Sequence, residues 1–108
     1  MQRFENLSGI TKTVYDYPVS SYCTIGKDYY TGNLHIEIEM GDYYVNFDDV
    51  HKFLERDLNG IHAAAEELVG IVFDKFKEAY QPKGIIIEYS FLTPPTTKIV
   101  KTWRADEE

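Results

Sequence analysis

The chain has 108 residues, of which 44% are hydrophobic and 27% are charged, and this is the size and composition of one globular domain. Its formal net charge of −7, with no cluster of Lys and Arg, predicts neither a nucleic-acid partner nor a membrane-surface partner. No apolar run approaches the roughly 20 residues of a spanning helix, and the N-terminus lacks a signal h-region. The lone Cys23 has no internal disulfide partner, as is usual in a reducing compartment. These features together predict a cytoplasmic protein.

The first half of the chain is predicted to be extended. Residues 10–19 are rich in β-branched and tyrosine side chains, which favours a strand that ends near Pro18. Residues 20–32 contain two glycines and many polar side chains, which predicts a loop or a widened hairpin connection. Strict apolar and polar alternation over residues 33–40 predicts a half-buried strand, and residues 43–47 continue extended after a break.

Two helices and two strands are predicted in the second half. Acidic residues followed by helical apolar spacing predict a first helix over residues 48–58, and an apolar stripe predicts a second over about residues 63–80. Two β-prone runs, residues 84–92 and residues 98–103, flank a proline-rich turn and predict the last two strands. The tail, residues 104–108, is predicted to be frayed.

This ββααββ order predicts an α+β fold with a four-stranded antiparallel sheet and both helices on one face, in one domain whose core spans about residues 10–104. The other face would carry His35, Glu37 and Glu39, which are too polar for a core and suit the wall of a water-filled barrel. Exposed sheet edges require partners, so we predict a closed homo-oligomer.

The element order and lengths resemble the tunnelling fold, whose subunits associate edge to edge into barrels and bind pterins or purines at their interfaces. Residues 44–50 (Tyr-Val-Asn-Phe-Asp-Asp-Val) and 64–69 (Ala-Ala-Glu-Glu-Leu-Val) are similar to segments of dihydroneopterin aldolases. That resemblance implies a dihydropterin aldolase without a cofactor, assembled as a tetramer or larger barrel. It also implies that Glu66 anchors the pterin and serves catalysis, with Phe47 and Leu68 beside the ring.

A second resemblance concerns residues 86–89 (Ile-Ile-Glu-Tyr), which are similar to the third-strand segment of 6-pyruvoyl- and 6-carboxytetrahydropterin synthases. It implies that Glu88 holds the pterin. Those synthases carry a His-x-His zinc motif where this chain has residues 31–35, and a zinc site requires three or four converging ligands, so we predict no metal. The three histidines lie on different predicted elements: His35, His51 and His62.

A third resemblance concerns residues 17–23 (Tyr-Pro-Val-Ser-Ser-Tyr-Cys), which are similar to the approach to the nucleophilic cysteine of 7-cyano-7-deazaguanine reductase. Residues 26–28 (Gly-Lys-Asp) resemble the segment just after that cysteine. The resemblance implies a nucleophilic Cys23 with Asp28 as a further catalytic group. The Glu-Ser-Lys-Ser cofactor signature of the reductase is absent, so no cofactor is predicted.

Each candidate also has an ordinary structural interpretation. A glutamate suits a pterin or guanine because its two oxygens accept from two adjacent donors on the ring edge. Glu88 is equally compatible with a cross-strand pair to Lys98 or Lys101, and Glu66 with a favourable position in the helix dipole. Cys23 is compatible with a small buried hydrophobe. The alternative from another class is a non-catalytic oligomeric binding or scaffold protein.

Overall fold

The computed structural model describes residues 1–107 and contains the predicted order of strands and helices. The strands are β1 (Arg3–Glu5), β2 (Lys12–Cys23), β3 (Asp28–Glu39), β4 (Tyr43–Val45), β5 (Gly84–Phe91) and β6 (Lys98–Arg104). The helices are α1 (Phe47–Lys52), which continues as a π-helical segment (Phe53–Leu58), and α2 (Ala65–Tyr80).

The main sheet is antiparallel, in the order β2-β3-β5-β6. The predicted α+β class and four-stranded antiparallel sheet with two helices are confirmed. β1 and β4 form a separate two-stranded sheet, in which Phe4 stacks on Tyr44 at 5.2 Å between ring centroids. β1 was not predicted, because three exposed residues carry no alternation that a strand pattern would detect.

The hairpin of β2 and β3 corrects the sequence-based boundaries. The ladder runs unbroken from Lys12 opposite Glu39 to Cys23 opposite Asp28, so the strand end near Pro18 and the loop over residues 20–32 are wrong. Proline is tolerated because β2 is an edge strand, where one side of the backbone has no sheet neighbour and a missing N–H removes no ladder bond.

The core lies between the sheet and the helices. Side chains at alternate positions of β3 and β5 point to the helical layer, and most are fully buried. Burying one such Ile or Leu stabilises the fold by on the order of 2 kcal/mol. The core residues on these two strands are Leu34, Ile36, Ile38, Ile85, Ile87 and Tyr89.

The connection between the helices covers part of the outer edge of β2. The Gly60 N–H donates to the Ser20 carbonyl at 2.7 Å, and the Ala63 N–H donates to the Tyr22 carbonyl at 2.9 Å. α2 therefore starts at Ala65, slightly later than predicted, and its first turn lies beside the β2–β3 turn. This contact brings the N-terminal end of α2 to the chain segment that carries the single cysteine.

The C-terminal tail was predicted to be frayed, but residues 105–107 form a short 3₁₀ turn held by the Ala105 N–H, which donates to the Lys83 carbonyl at 2.9 Å. The predicted tail also included Glu108, which lies outside the described residues. Within residues 1–107, no helix is both long enough and apolar enough to cross a membrane.

Candidate functional site

Cys23 and Asp28 flank the β2–β3 turn. They are directly opposite each other in the antiparallel register, so their side chains share a face with Cβ atoms about 5 Å apart. The Gly26 N–H donates to Cys23 Sγ at 3.4 Å, and Cys23 is half-buried. Asp28 is exposed, and one of its oxygens accepts from the Tyr29 N–H at 2.8 Å. The strand end thus presents a thiol and a carboxylate together.

Tyr30 lies two residues after Asp28, on the same face of β3. Its hydroxyl donates to the Ala63 carbonyl at 2.7 Å. Burial raises the pKa of Tyr30, the neighbouring Ser21 hydroxyl acts in the opposite direction, and the charges of Cys23, Glu66 and Glu67 add to the rise. The Tyr30 hydroxyl therefore joins β3 to the segment just before α2, whose first turn carries both glutamates.

The N-terminus of α2 provides both donors and acceptors at this location. Glu66 and Glu67 lie exposed in the first turn. The first N–H used inside the helix is that of Leu68, which donates to the Ala64 carbonyl at 3.0 Å, so the preceding N–H groups have no partner within the helix. Within the described chain, no side chain caps this end.

Ser21 is the polar side chain that the fold buries without a partner. It is 1% exposed, and its hydroxyl makes no hydrogen bond to any described residue. The residue lies directly opposite Tyr30 in the β2–β3 register, and although the two hydroxyls are neighbours, their geometry falls short of a hydrogen bond. Leaving such a group unpaired costs about 1–3 kcal/mol.

Glu88 lies on the opposite face of the sheet. Its neighbours in β5, Ile87 and Tyr89, point into the core, so Glu88 points away from the helices. Its carboxylate pairs with Lys98 Nζ at 3.7 Å, the cross-strand contact expected of an ordinary surface glutamate. Within one chain the sheet separates Glu88 from Glu66, so the two predicted ligand carboxylates do not share a site.

His35 lies on the same face as Glu88, and both of its ring nitrogens face carboxylate oxygens. Its Nδ1 lies 2.7 Å from Asp16 and its Nε2 lies 3.0 Å from Glu37, which also pairs with Lys12 at 2.8 Å. The hydrogen bond to Asp16, followed by that to Glu37, raises the pKa of His35. Both ring nitrogens lie within hydrogen-bond distance of carboxylate oxygens, so neither is open to a metal ion. No group of three or more His, Cys, Asp or Glu side chains in residues 1–107 is arranged to hold a metal.

The remaining predicted site residues lie elsewhere. Phe47 is 54% exposed and touches Tyr15, which packs on Phe76. Phe76 is ten residues beyond Glu66 on α2, about 15 Å along the helix axis, so Phe47 lies toward the opposite end of α2 from Glu66. Leu68 is fully buried in the core. The structure therefore does not bring together the set that the aldolase resemblance implied.

A cavity of about 460 Å³ lies away from the cysteine. It lies between the ends of β3, β5 and β6, where Arg104 reaches across Gly84 to pair with Glu39 at 2.8 Å. None of the predicted site residues lines this cavity, and its cations are already paired with carboxylates.

Ser21 and the Ala63 carbonyl were not predicted to have a role, and Tyr30 was predicted, with Asp28, to lie in a loop of the kind that often carries catalytic groups. The signal that was missed is the alternation in β2, where Val19, Ser21 and Cys23 share the helix-facing side. That alternation continues through the segment that was predicted to be irregular. Extending it would have placed Tyr30 and Cys23 on one face.

No protein-family model matches the chain, and no curated protein matches it. The fold is that of the tunnelling-fold class. Among solved structures the chain is similar to the archaeosine synthase QueF-like in its apo form, with a TM-score of 0.76 and 16% sequence identity. The match covers 87% of this chain and 94% of that one. At this identity the likeness shows the fold, which confirms the fold implied by the three resemblances.

Proposed function

We propose that this chain is an enzyme that binds a pterin- or deazapurine-like heterocycle beside the β2–β3 turn and attaches it to Cys23 through an electrophilic carbon such as a nitrile. One observation carries the proposal: the Tyr30 hydroxyl donates to the Ala63 carbonyl and the Ala63 N–H donates to the Tyr22 carbonyl, so the first turn of α2 begins beside the strand end that carries Cys23. The name of the structural relative, a synthase of a deazapurine nucleoside, supports the same substrate class.

The recognition of the ring rests on complementary donors and acceptors. The Glu66 carboxylate accepts from a ring N–H and an adjacent amino group, and a free N–H of the first turn of α2 donates to a ring carbonyl. A lactam with an adjacent amino group, as in pterins and guanines, presents this pattern. The net charge of −7 favours a free heterocycle over one carried in a polynucleotide.

The proposed covalent step is an addition. The Cys23 sulfur forms a bond to the nitrile carbon, one carbon–nitrogen π bond breaks, and the thiol proton is transferred to the nitrile nitrogen. Asp28, directly across the strand pair from Cys23, is placed to relay that proton. Nothing leaves and no oxidant is required, so the product is a thioimidate that retains every atom of the ligand.

The aldolase interpretation, with its roles in folate biosynthesis and lyase chemistry, has less structural support. Glu66 fits a ring anchor in either reaction, but Phe47 lies at the far end of α2 and the Leu68 side chain is buried. Dihydroneopterin aldolases carry a lysine where this chain has Glu88, and Glu88 faces away from the helices. An aldolase would therefore have to draw further groups from a second subunit.

We also propose a homo-oligomer. β2 and β6 are the outer strands of the main sheet, and long open strand edges are usually covered by pairing. The connection between the helices covers β2 only near Ser20 and Tyr22, and leaves the edge from Lys12 to Val19 open in the described chain. Light scattering on the purified protein should give a multiple of the 12.6 kDa chain mass, and a monomer mass would contradict this proposal.

Intact-mass spectrometry after incubation with 7-cyano-7-deazaguanine tests the proposed function. The expected mass increase equals the mass of the whole ligand, because the addition has no leaving group. Cys23→Ala should abolish the adduct, and Asp28→Asn should slow its formation about 100-fold, a typical loss when a general acid is removed.

Lys27→Ala is the matched control, because this residue lies in the same turn and its side chain has no role in the proposed chemistry. It should form the adduct at the wild-type rate. Wild-type protein that binds the nitrile without a mass increase would favour the non-catalytic binding protein. Dihydroneopterin cleavage by wild-type protein and by Cys23→Ala alike would favour the aldolase.

A further inference from the structure

Tyr30 joins the sheet to the start of α2. Its hydroxyl donates to the Ala63 carbonyl at 2.7 Å, two residues before the helix begins. Its ring is held from behind by Tyr89 and Phe91, each at 5.8 Å between ring centroids. The ring therefore has little freedom, and the hydroxyl holds the helix start at a defined distance from β3.

The two helices differ in how they begin. α1 has an Asn46 cap, whose side chain accepts from the Asp48 N–H at 2.9 Å. At α2 the N-cap position is Ala64, which offers no capping side chain, and none is supplied by the rest of the described chain. The first turn of α2 is instead held by Tyr30 and by the backbone bond from the Ala63 N–H to the Tyr22 carbonyl.

We propose that Tyr30 is a positioning residue that sets the distance between the Glu66 carboxylate and the Cys23 sulfur. The inference rests on the proposed function, in which Glu66 holds the ring and Cys23 attacks it. Cys23 and Tyr30 belong to one rigid strand pair, and Glu66 follows the anchored Ala63 by three residues. A displacement of about 1 Å between a bound group and its attacking atom can lower a rate about 100-fold.

Tyr30→Phe tests this role, because it removes one oxygen and keeps the ring. Tyr15→Phe is the matched control, because the Tyr15 hydroxyl bonds to the Tyr80 hydroxyl at 2.6 Å at the other end of α2. For each protein the melting temperature, the maximal rate of adduct formation at saturating 7-cyano-7-deazaguanine and the half-saturating concentration are measured. We expect Tyr30→Phe to lower the maximal rate about 10-fold or more, and Tyr15→Phe to leave it at the wild-type value.

Glu66→Asp provides a second variant at an exposed position that does not depend on the tyrosine packing. It withdraws the carboxylate by about 1.5 Å, one carbon–carbon bond, and should also lower the maximal rate. If Tyr30→Phe fails to fold, an unchanged maximal rate in Glu66→Asp overturns the positioning role. Equal losses in Tyr30→Phe and Tyr15→Phe, or no loss in Tyr30→Phe, overturn it too. A wild-type protein that forms no adduct overturns the proposed function and this inference with it.

Discussion

At the scale of single residues, the surroundings of a side chain decide its chemistry more than its identity does. His35 was predicted only as part of a polar face, and in the structure each of its ring nitrogens faces a carboxylate oxygen. A neutral imidazole has one N–H, so only the protonated ring donates to both Asp16 and Glu37. Sequence alternation predicted the face but not these contacts, which depend on the β2–β3 register.

The His35 contacts predict a pH-dependent stability. The pKa of His35 is raised in the folded state, so its contribution is complete below the unfolded pKa of about 6.5 and is lost as the pH rises through the folded value. The melting temperature of the wild type should exceed that of His35→Gln most at about pH 6, and the gap should shrink by about pH 9.

Between about pH 6 and about pH 9, titration of the neighbouring carboxylates Asp16 and Glu37 does not change the stability. The pKa of Asp16 is lowered by its hydrogen bond to His35, and that of Glu37 first by its hydrogen bond to Lys12, so their contributions are lost only in acid. Both carboxylates and Lys12 stay charged throughout the window. A gap that is constant between these two pH values would contradict the interpretation.

At the scale of elements, the strongly periodic segments could be predicted and the irregular ones could not. The alternation of β3 after residue 33 and the apolar stripe of α2 each report one buried face, and both elements are present. The end of β2 and the start of β3 were missed because Pro18 and Gly32 are locally unfavourable in strands, and tertiary packing overrides that preference. Cys23, Asp28 and Tyr30 of the candidate site lie in the missed segment.

At Gly32, tertiary packing requires a glycine even though glycine is unfavourable in a strand. The Tyr89 ring crosses this position, and its hydroxyl donates to the Val19 carbonyl on β2 at 2.8 Å. A Cβ at Gly32 would lie 2.4 Å from the Ser90 carbonyl oxygen and 2.6 Å from the Tyr89 ring. Gly32→Ala should therefore lower the free energy of unfolding by about 1–3 kcal/mol, measured by urea denaturation.

Gly70 is the matched control for that substitution. It lies inside α2, where a Cβ would have no neighbouring atom within 4 Å. Gly70→Ala should raise the free energy of unfolding by about 0.5–1 kcal/mol, because alanine loses less backbone freedom in a helix. Equal effects of the two substitutions would show that the Tyr89 crossing does not require a glycine.

At the scale of the whole molecule, the two predicted ligand carboxylates lie on opposite faces of one sheet. The strand and helix order was predictable because it follows from periodicity, whereas the choice between Glu66 and Glu88 was not. Both are exposed or half-buried glutamates with an ordinary structural interpretation, and only the tertiary structure shows that the start of α2, which carries Glu66, is joined to the strand end that carries Cys23. The sequence therefore predicted both glutamates as candidates, and the fold shows which of them lies on the same side of the sheet as Cys23.

The central claim is that the heterocycle binds between Cys23 and the first turn of α2. A crystal structure of the protein with 7-cyano-7-deazaguanine tests it most directly. We predict continuous density from Cys23 Sγ to the ligand, with the ring edge within hydrogen-bond distance of Glu66. A ring bound against Glu88 on the opposite face, with the Cys23 sulfur unmodified, would contradict the account.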